Sequence, residues 1–460
     1  MGSTTLTRAN AMPAPTWHRL KMNDVDIELP EGLAPADKAH IAVGAGASAP
    51  GDATGAGADA GEAGLGVTVS AAGAVRIGAE GDFEAALAQL QQRLDERRAG
   101  APADTRAALR AAGEDVDPHD LDTPALSSYE KRAVLDQAAG DVAAAFECGM
   151  GKEADAFVAR AAAADGGRVV LVCDSPASAF DAPARIDVRI AGGDGRLSAA
   201  DVDVVAAPGA QVELGIAFDS PAGGAGVAAC RLRVFAGANS RVRLSSIVTL
   251  DAGWTALDTS GYVLDERARV EATQRVLGAK ESYTGLAADL RGDEADISID
   301  TRYVGHASNA VDFNYIVRHR GRKTTCTLDA NGVLLGSSRK VLRGTIDLVH
   351  GCKGSEGSER DTVLIADEGA RNKTVPVILC DEDDVAGNHG ATIGHVRSEQ
   401  LYYLQSRGLT QDAAEGLFAT AALEDAAAHA RSAEERAGVE RIASGLDVPF
   451  APDEADEDEE

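Results

Sequence analysis

Long apolar runs and basic residues are scarce in this sequence. No stretch of about 18 apolar residues occurs in the 460-residue chain, and none of signal-peptide length lies near its start, so we expect a cytoplasmic protein without a membrane span. Lys and Arg number 44 against 73 Asp and Glu, which gives a net charge of −29. A surface this acidic repels phosphate groups. We therefore expect neither nucleic acid nor an anionic membrane as a partner.

Paired cysteines and the common catalytic motifs are also missing. The six cysteines are scattered without a Cys-x-x-Cys pair, which excludes a zinc ribbon and a thioredoxin-type site. We expect most of these thiols to be buried and inert in a reducing compartment. The sequence contains no GxxxxGK[ST], GxSxG or HExxH motif. We therefore expect no enzymatic activity, ATP hydrolysis included, from this chain alone.

Composition and periodicity divide the chain into four parts. We predict a mostly helical region at 1–165, a β-helix core at 166–396, a helical domain at 397–447 and an acidic tail at 448–460. Within the first part, residues 42–66 are rich in Gly and Ala. They cannot bury enough apolar surface to offset the conformational entropy lost on ordering, so we expect a flexible loop. Seven of the last eight residues are acidic, which is typical of a disordered, solvated segment.

Helical spacing of apolar residues predicts the helices. Phe83, Leu87, Leu90 and Leu94 fall on one face of a helix that begins at Asp82. Further helices are predicted over 127–148, onward to about 164, from Ser398 to a C-cap at Gly408, and from Thr410.

The core carries a repeat. Five segments that alternate apolar and polar residues align at Val212, Val242, Val270, Ile297 and Thr325. This period of roughly 28 residues, with about two short strands in each, predicts a solenoid in which each strand pairs with its equivalent in the next coil. A β-sandwich is the alternative, because evenly spaced short strands also build that fold.

A solenoid leaves the edges of its terminal coils open, and an open strand edge invites another chain to pair with it. The stretch "CDEDDVAGNHGATIGH", from Cys380 to His395, lies where the β region gives way to helices. Its central His389 could bind a metal, move a proton or simply stabilise a turn. The four acids before it could offer oxygen ligands, but neighbours along a strand point to opposite faces, so a solvated turn is the plainer interpretation.

The longer stretch "VILCDEDDVAGNHGATIGHVRSEQLYYLQSRGL" resembles the C-terminal signature of the SufB/SufD family, which belongs to the SUF machinery for iron–sulfur cluster assembly. The residues that carry the pattern are Asp384, Val385, His389, Gly390, Ala391, Thr392, Gly394, Leu401, Tyr403, Leu404, Arg407 and Gly408. Trp17, Arg19 and Leu20 resemble its short N-terminal signature. We therefore predict a mainly β fold: a central right-handed parallel β-helix flanked by N-terminal and C-terminal α-helical regions.

Two substitutions make the chain most similar to the D-type branch, SufD. B-type members usually have glutamate at the position of Gly390 and cysteine at the position of Arg360. The thiolate and carboxylate that hold sulfur and iron in that branch are thus missing here. Many D-type chains have a cysteine two residues before the histidine; because this chain has Gly387 there, no cysteine role is carried over.

The resemblance implies a site and partners. The counterpart of His389 lies at the interface with a SufB-type subunit, where a nascent cluster forms, so we expect a transient iron–sulfur cluster there and none bound tightly by this chain alone. Asp384, Thr392 and His395 are candidates for its surroundings. The C-terminal helices are expected to contact SufC, an ABC-type ATPase, through Leu401, Tyr403, Leu404, Arg407 and Leu417. In isolation the chain could pair with a copy of itself.

Two alternatives remain open. The chain could be a SufB-like or homodimeric scaffold that assembles the cluster itself. More remotely, it could be a polysaccharide-acting β-solenoid enzyme with Asp381, Asp383 and Asp384 as acid and base. The aromatic content of 4% disfavours the enzyme, because sugar-binding platforms are usually aromatic.

Overall fold

The computed structural model describes residues 4–13, 22–30, 32–35, 37–44, 64–70, 75–100, 141–165, 167–175, 183–446 and 450. Contacts divide the chain into two compact units, one formed by 78–147 and the other by the remaining residues. The strands are β1 Thr4–Ala9, β2 Val25–Leu29, β3 Ala34–Pro35, β4 Asp37–Gly44, β5 Gly64–Ser70, β6 Val75–Ile77, β7 Arg168–Cys173, β8 Ala184–Ala191, β9 Arg196–Ala206, β10 Gln211–Asp219, β11 Gly226–Ala236, β12 Arg241–Val248, β13 Trp254–Leu264, β14 Arg269–Val276, β15 Glu281–Leu290, β16 Asp296–Gly305, β17 Ala310–His319, β18 Thr325–Leu334, β19 Arg339–Leu348, β20 Glu356–Ile365, β21 Arg371–Cys380 and β22 Ala386–Gly394. The helices are α1 Asp82–Gly100, α2 Val142–Ala145, α3 Lys152–Asp165, α4 Ser398–Ser406, α5 Gln411–Ala428 and α6 Ala433–Leu446.

Strands β7 to β22 wind into a parallel β-solenoid of about eight turns. The even-numbered strands stack in one sheet and the odd-numbered strands in a second sheet, so each coil contributes one strand to each. Every strand in this range pairs in parallel with the strand two places along the chain. This confirms the predicted solenoid and excludes the sandwich.

The register confirms most of the aligned repeat. The aligned positions that pair with one another are Val212, Val242, Val270 and Ile297. The fifth position is wrong by one residue, because Ile297 pairs with Cys326, whereas Thr325 pairs with Asp296. Cys326 is buried and Thr325 is exposed, so the slip exchanged the two faces of the strand.

Side chains from both sheets fill the interior of the solenoid with one continuous apolar cluster, which includes Trp254 and Phe313. The outer face of the odd-numbered sheet is covered by the antiparallel hairpin β1–β2 and by α3, whose Val158 is fully buried. The outer face of the even-numbered sheet is covered by α5 and α6, with Leu423 packed against Ile247 and its neighbours. Helices α5 and α6 are therefore docked on one sheet of the solenoid.

The N-terminal end of the solenoid is closed by added strands. Strand β5 pairs antiparallel with β8, and β6 pairs antiparallel with β7, so both starting edges are occupied. Where residues 1–77 are described they form strands, which corrects the prediction of a mostly helical start for that segment. Strands β4 and β5 also enter both ends of the predicted loop at 42–66, whose middle lies outside the described residues. Strand β4 pairs with β5, and β5 pairs with the distant edge of β8, which local composition does not reveal.

The predicted helices are confirmed in part. Helix α1 begins at Asp82 and α3 ends at Asp165, while α2 ends at Ala145 rather than Cys148 because Phe146 is extended. The rest of the helix predicted over 127–148, and the tail apart from Phe450, lie outside the described residues. No helix in the described part of the chain is long and apolar enough to cross a membrane.

The unit formed by 78–147 is held together by contacts between α1 and the turn of α2. The rings of Phe83 and Phe146 meet edge to face at 5.3 Å. The backbone N–H of Val142 donates to Oε1 of Gln91 at 2.8 Å. The apolar stripe predicted for α1 is therefore the side that packs.

Candidate functional site

The C-terminal end of the solenoid is open. Among the described residues, β22 pairs only with β20 and β21 only with β19, so each has one free edge. The side chains of β22 are exposed from Gly387 to Ile393. At the N-terminal end the first coil is covered by the added strands β5 and β6, whereas at the C-terminal end the last coil itself presents unpaired backbone groups and small side chains.

His389 lies at the centre of this last strand. Its Cα is the register partner of Glu359 in β20. An ideal Cβ built on Gly387 would lie 3.0 Å from Cγ2 of Ile378, whereas one built on Gly390 would meet nothing within 4 Å. Because side chains alternate along a strand, His389 shares the inward face with Gly387. It is exposed because no further coil covers it.

The structure separates the residues predicted to surround His389. Thr392 pairs with Thr362 on the outer face of the sheet, so it points away from the side that carries His389. His395 follows the end of β22, roughly 15–20 Å along the extended chain from His389. Asp384 lies in the turn before β22, where its carbonyl accepts a hydrogen bond from the N–H of Gly354 at 2.6 Å.

The acidic turn after β21 makes structural hydrogen bonds. Oε2 of Glu382 accepts the N–H of Gly351 at 2.9 Å, and this backbone hydrogen bond is the main cause of the lowered pKa of Glu382. Cys380 is the one exposed cysteine, while the other five are buried. No three His, Cys, Asp or Glu residues are grouped to hold a metal ion in the part of the chain that the structure describes. The side chain of Glu382 thus joins the corners of two successive coils.

The two positions that distinguish the B-type branch are adjacent in space. Arg360 of β20 and Gly390 of β22 are register partners, and both are exposed on the outer face. A cysteine and a glutamate at these positions would stand side by side on neighbouring strands, about 4.8 Å apart. This chain offers a guanidinium and a bare backbone there instead.

A buried polar cluster inside the last coils escaped the sequence analysis. The ammonium of Lys340 and the hydroxyl of Thr374 both donate to Oδ2 of Asp361, at 2.5 Å and 2.6 Å. Glu359 is 5% exposed, and neither of its carboxylate oxygens has a hydrogen-bond partner among the described residues. Burial, with the nearby Asp361, raises the pKa of Glu359 to about 8. Only the corrected register, in which Cys326 pairs with Gly357 and Leu328 with Glu359, shows these acids at inward positions.

The residues predicted to contact an ATPase lie around an exposed apolar groove between α4 and α5. The groove has a volume of about 540 Å³ and is lined by Glu399, Gln400, Tyr403, Leu404, Leu417, Phe418 and Ala421. The guanidinium of Arg407 lies 5.1 Å from the ring centroid of Tyr403. Leu401 is half-buried and lies outside the lining. Tyr403 is 56% exposed, and an apolar patch of this kind marks an interaction surface.

Fold and site together define a class: a parallel β-solenoid with one open end and a helical C-terminal domain packed along one sheet. A family model described as "SUF system FeS cluster assembly, SufBD core domain" matches residues 188–422, slightly more than half of the chain. The chain belongs to this SufBD family. The match begins in β8 and ends in α5, so it covers most of the solenoid and the groove.

Relatives named as SufD or as SufBD family proteins align with 38–40% of the chain. The iron-sulfur cluster assembly protein SufD of Bacillus subtilis is 28% identical over 185 residues, which are 40% of this chain and 42% of that protein. An iron-sulfur cluster assembly SufBD family protein of Mycobacterium bovis is 28% identical over 176 residues, or 38% and 21% of the two chains. A chloroplastic SufBD family protein of Arabidopsis thaliana is 22% identical over 192 residues, or 40% and 34%. The matches span less than half of each relative.

Proposed function

We propose that this chain is a SufD-like, non-catalytic subunit of a cytoplasmic scaffold on which iron–sulfur clusters are built or transferred. It pairs with a SufB-type subunit through the open end of its solenoid and binds a SufC-type ABC ATPase through its C-terminal helices. The observation that carries the proposal is the free edge of β22 with His389 at its centre.

The open edge supports pairing because its backbone groups have no partner on one side among the described residues. Small residues of β22, including Gly387, Gly390 and Ala391, allow a second strand or loop to approach the backbone closely. Ile393, 48% exposed, adds apolar surface for burial. At the N-terminal end the edges of the first coil are occupied by β5 and β6, and the free edges among the described residues belong to β4 and to the short strand β6.

The substitutions on the outer face support the D-type role. With Arg360 and Gly390 paired at the positions of the B-type thiolate and carboxylate, this chain has one imidazole to contribute, that of His389. Imidazole is a borderline ligand that suits iron and can also carry a proton. The thiolate ligands of a cluster come from the partner.

The helical domain supports transmission of an ATPase movement to the solenoid. Helix α5 borders the groove through Leu417 and Phe418 and packs on the even-numbered sheet through Leu423. It is also tied to β14 by the ion pair of Arg275 and Asp425 at 3.3 Å. An ATPase that changes shape with nucleotide would therefore favour one arrangement of the paired solenoids over another, which is a population shift.

The test is His389→Ala in the complex co-expressed with the SufB-type and SufC-type partners. We expect the complex to assemble while its content of iron and acid-labile sulfide falls severalfold, because the substitution removes an exposed side chain from the proposed subunit interface. His395→Ala, an exposed histidine beyond β22, is the matched control and should retain the cluster. Unchanged cluster content in His389→Ala would contradict the proposed role.

A further inference from the structure

Glu359 is a buried acid without a hydrogen-bond partner in the described part of the chain, and the proposed scaffold role does not account for it. It is 5% exposed, and neither Oε1 nor Oε2 accepts a hydrogen bond within the described residues. An unpaired buried carboxylate costs several kcal/mol in general, so a residue of this kind usually serves a bound ion or proton.

The charges around Glu359 do not balance. Lys340 is fully buried and its ammonium binds Asp361, which also receives the hydroxyl of Thr374. The three ionisable groups of this cluster carry one positive and two negative charges when ionised, which leaves one negative charge in the interior. Because Lys340 already binds Asp361, Glu359 has no hydrogen-bonded counter-charge, and its pKa of about 8 means that a cation would bind there in exchange for a proton.

The carboxylate occupies a prepared space. An ideal Cβ built on Gly344 of β19 would overlap the carboxylate of Glu359, so the absence of a side chain at Gly344 makes room for it. Glu359 therefore reaches across the interior from one sheet to the other. The next coil outward is the last, and its register partner for Glu359 is His389.

The two residues thus lie on adjacent strands, about 4.8 Å apart at the backbone, on the same inward face and at the open end. We propose that Glu359 and His389 form one ferrous-iron site at this end, with a carboxylate as the inner ligand and an imidazole as the outer one. This inference rests on the proposed function, because it makes iron(II) the substrate ion that the interface receives. Mixed oxygen and nitrogen ligands suit iron(II).

Two protein ligands do not complete the coordination of the ion. The described residues contain no third His, Cys, Asp or Glu grouped with them, so water or the partner subunit fills the other positions. Binding by the chain alone is therefore weak and exchangeable, as delivery of iron to a nascent cluster requires.

The test is a Co²⁺ titration of the full chain alone, in which Co²⁺ replaces oxygen-sensitive Fe²⁺. The ¹³Cε1–¹H signals of the labelled histidines are followed, and the His389 signal is assigned by its loss in His389→Ala. We expect a saturable shift of this signal, with a midpoint that rises at least tenfold in Glu359→Gln, a change that keeps the shape and removes the carboxyl group that would bind the ion. Asp258→Asn, at another buried carboxyl in the interior, is the matched control and should leave the midpoint unchanged.

Gly344→Ala is a second variant, because its methyl group displaces the carboxylate while Glu359 remains. It should also raise the midpoint, with circular dichroism confirming the fold. An unchanged midpoint in Glu359→Gln, or a His389 signal that does not respond to Co²⁺, overturns the iron site. The titration needs no partner, so its failure is distinguishable from failure of the proposed pairing, which is measured by complex assembly.

Discussion

Arg360 and Gly390 are direct partners in the parallel register of the last two coils, and both face outward. In the chain they are 30 residues apart, yet the solenoid places them next to each other. They are also the two positions at which this sequence departs from the B-type pattern. The two substitutions therefore alter a single patch of the surface, beside the proposed interface with the SufB-type subunit.

This relationship predicts that the purified chain alone does not hold a cluster. A guanidinium and a hydrogen atom cannot replace a thiolate and a carboxylate as ligands for iron. After anaerobic incubation with Fe²⁺ and sulfide and then desalting, we expect less than about 10% of the chains to retain acid-labile sulfide. Stoichiometric sulfide on the chain alone would favour the homodimeric or SufB-like scaffold instead.

A second prediction concerns the open edge. Ile393→Lys places a charge on the exposed strand β22 and should weaken pairing with the SufB-type subunit at least tenfold, or about 1.4 kcal/mol. Sedimentation velocity with the purified partner measures this. Ile77→Lys is the matched control, because Ile77 is 54% exposed in β6 at the other end of the solenoid. Equal weakening of the pairing by both variants would contradict the assignment of the subunit interface to β22.

A third prediction distinguishes two neighbouring tyrosines of α4. Tyr403 lines the groove between α4 and α5, whereas Tyr402 is 75% exposed and does not line it. Tyr403→Ala should weaken ATPase binding by about 2 kcal/mol, as is typical for an aromatic residue at the centre of an interface. Tyr402→Ala should have little effect in the same titration. A larger loss from Tyr402 would place the ATPase on the other face of α4.

A chain that ends near Val396 extends this test, because it lacks all three C-terminal helices. We expect it to lose the ATPase in co-purification. Removing α5 and α6 also exposes Ile247 and its apolar neighbours. The Tyr403 variant is therefore the cleaner measurement, and retention of the ATPase by a folded truncated chain would still contradict the assignment.

A fourth prediction concerns pH and stability. Burial raises the pKa of Asp258 to about 6, while a hydrogen bond from Ser246 opposes the shift. The folded state then binds more protons than the unfolded state between about pH 4 and pH 6, so stability falls as pH rises through this range. Asp258→Asn removes that loss and should raise the free energy of unfolding at pH 7.5 by roughly 2 kcal/mol relative to the native chain. Thermal denaturation at pH 4 and pH 7.5 measures the difference.

Asp289→Asn is the control of opposite sign. Burial alone would raise the pKa of Asp289, but Arg291 and Arg320 outweigh it and the net pKa is lowered. The ionised carboxylate is stabilising above the unfolded pKa, so its loss should lower the melting temperature at pH 7.5. If both variants shift stability in the same direction, electrostatics does not explain the effect of Asp258.

The solenoid was predictable from sequence because its period repeats one physical requirement in every coil. Each inward position must fit the coil before and after it, so Val212, Val242 and Val270 recur at equal spacing. The slip at Thr325 arose where Thr and Cys alternate and differ little in size or polarity. The N-terminal strands were missed because a distant sheet edge, rather than local periodicity, stabilises them.

The site was predictable only in part. His389 stood out because a long motif surrounds it, whereas Glu359 is an ordinary acid until the register shows that it points inward beneath the last coil. Thr392 was placed near His389 by proximity in the chain, although strand alternation sends it to the opposite face. A site built across coils becomes visible only when each residue is assigned to the inner or outer face.

The most direct test of the central claim is hydrogen exchange of the backbone amides of residues 386–394, in the free chain and in its complex with the SufB-type subunit. The account predicts that amides along the free edge of β22 exchange rapidly in the free chain and become strongly protected in the complex, while those of β6 are unchanged. Equal exchange of the 386–394 amides in the free chain and in the complex would contradict pairing through the open end of the solenoid.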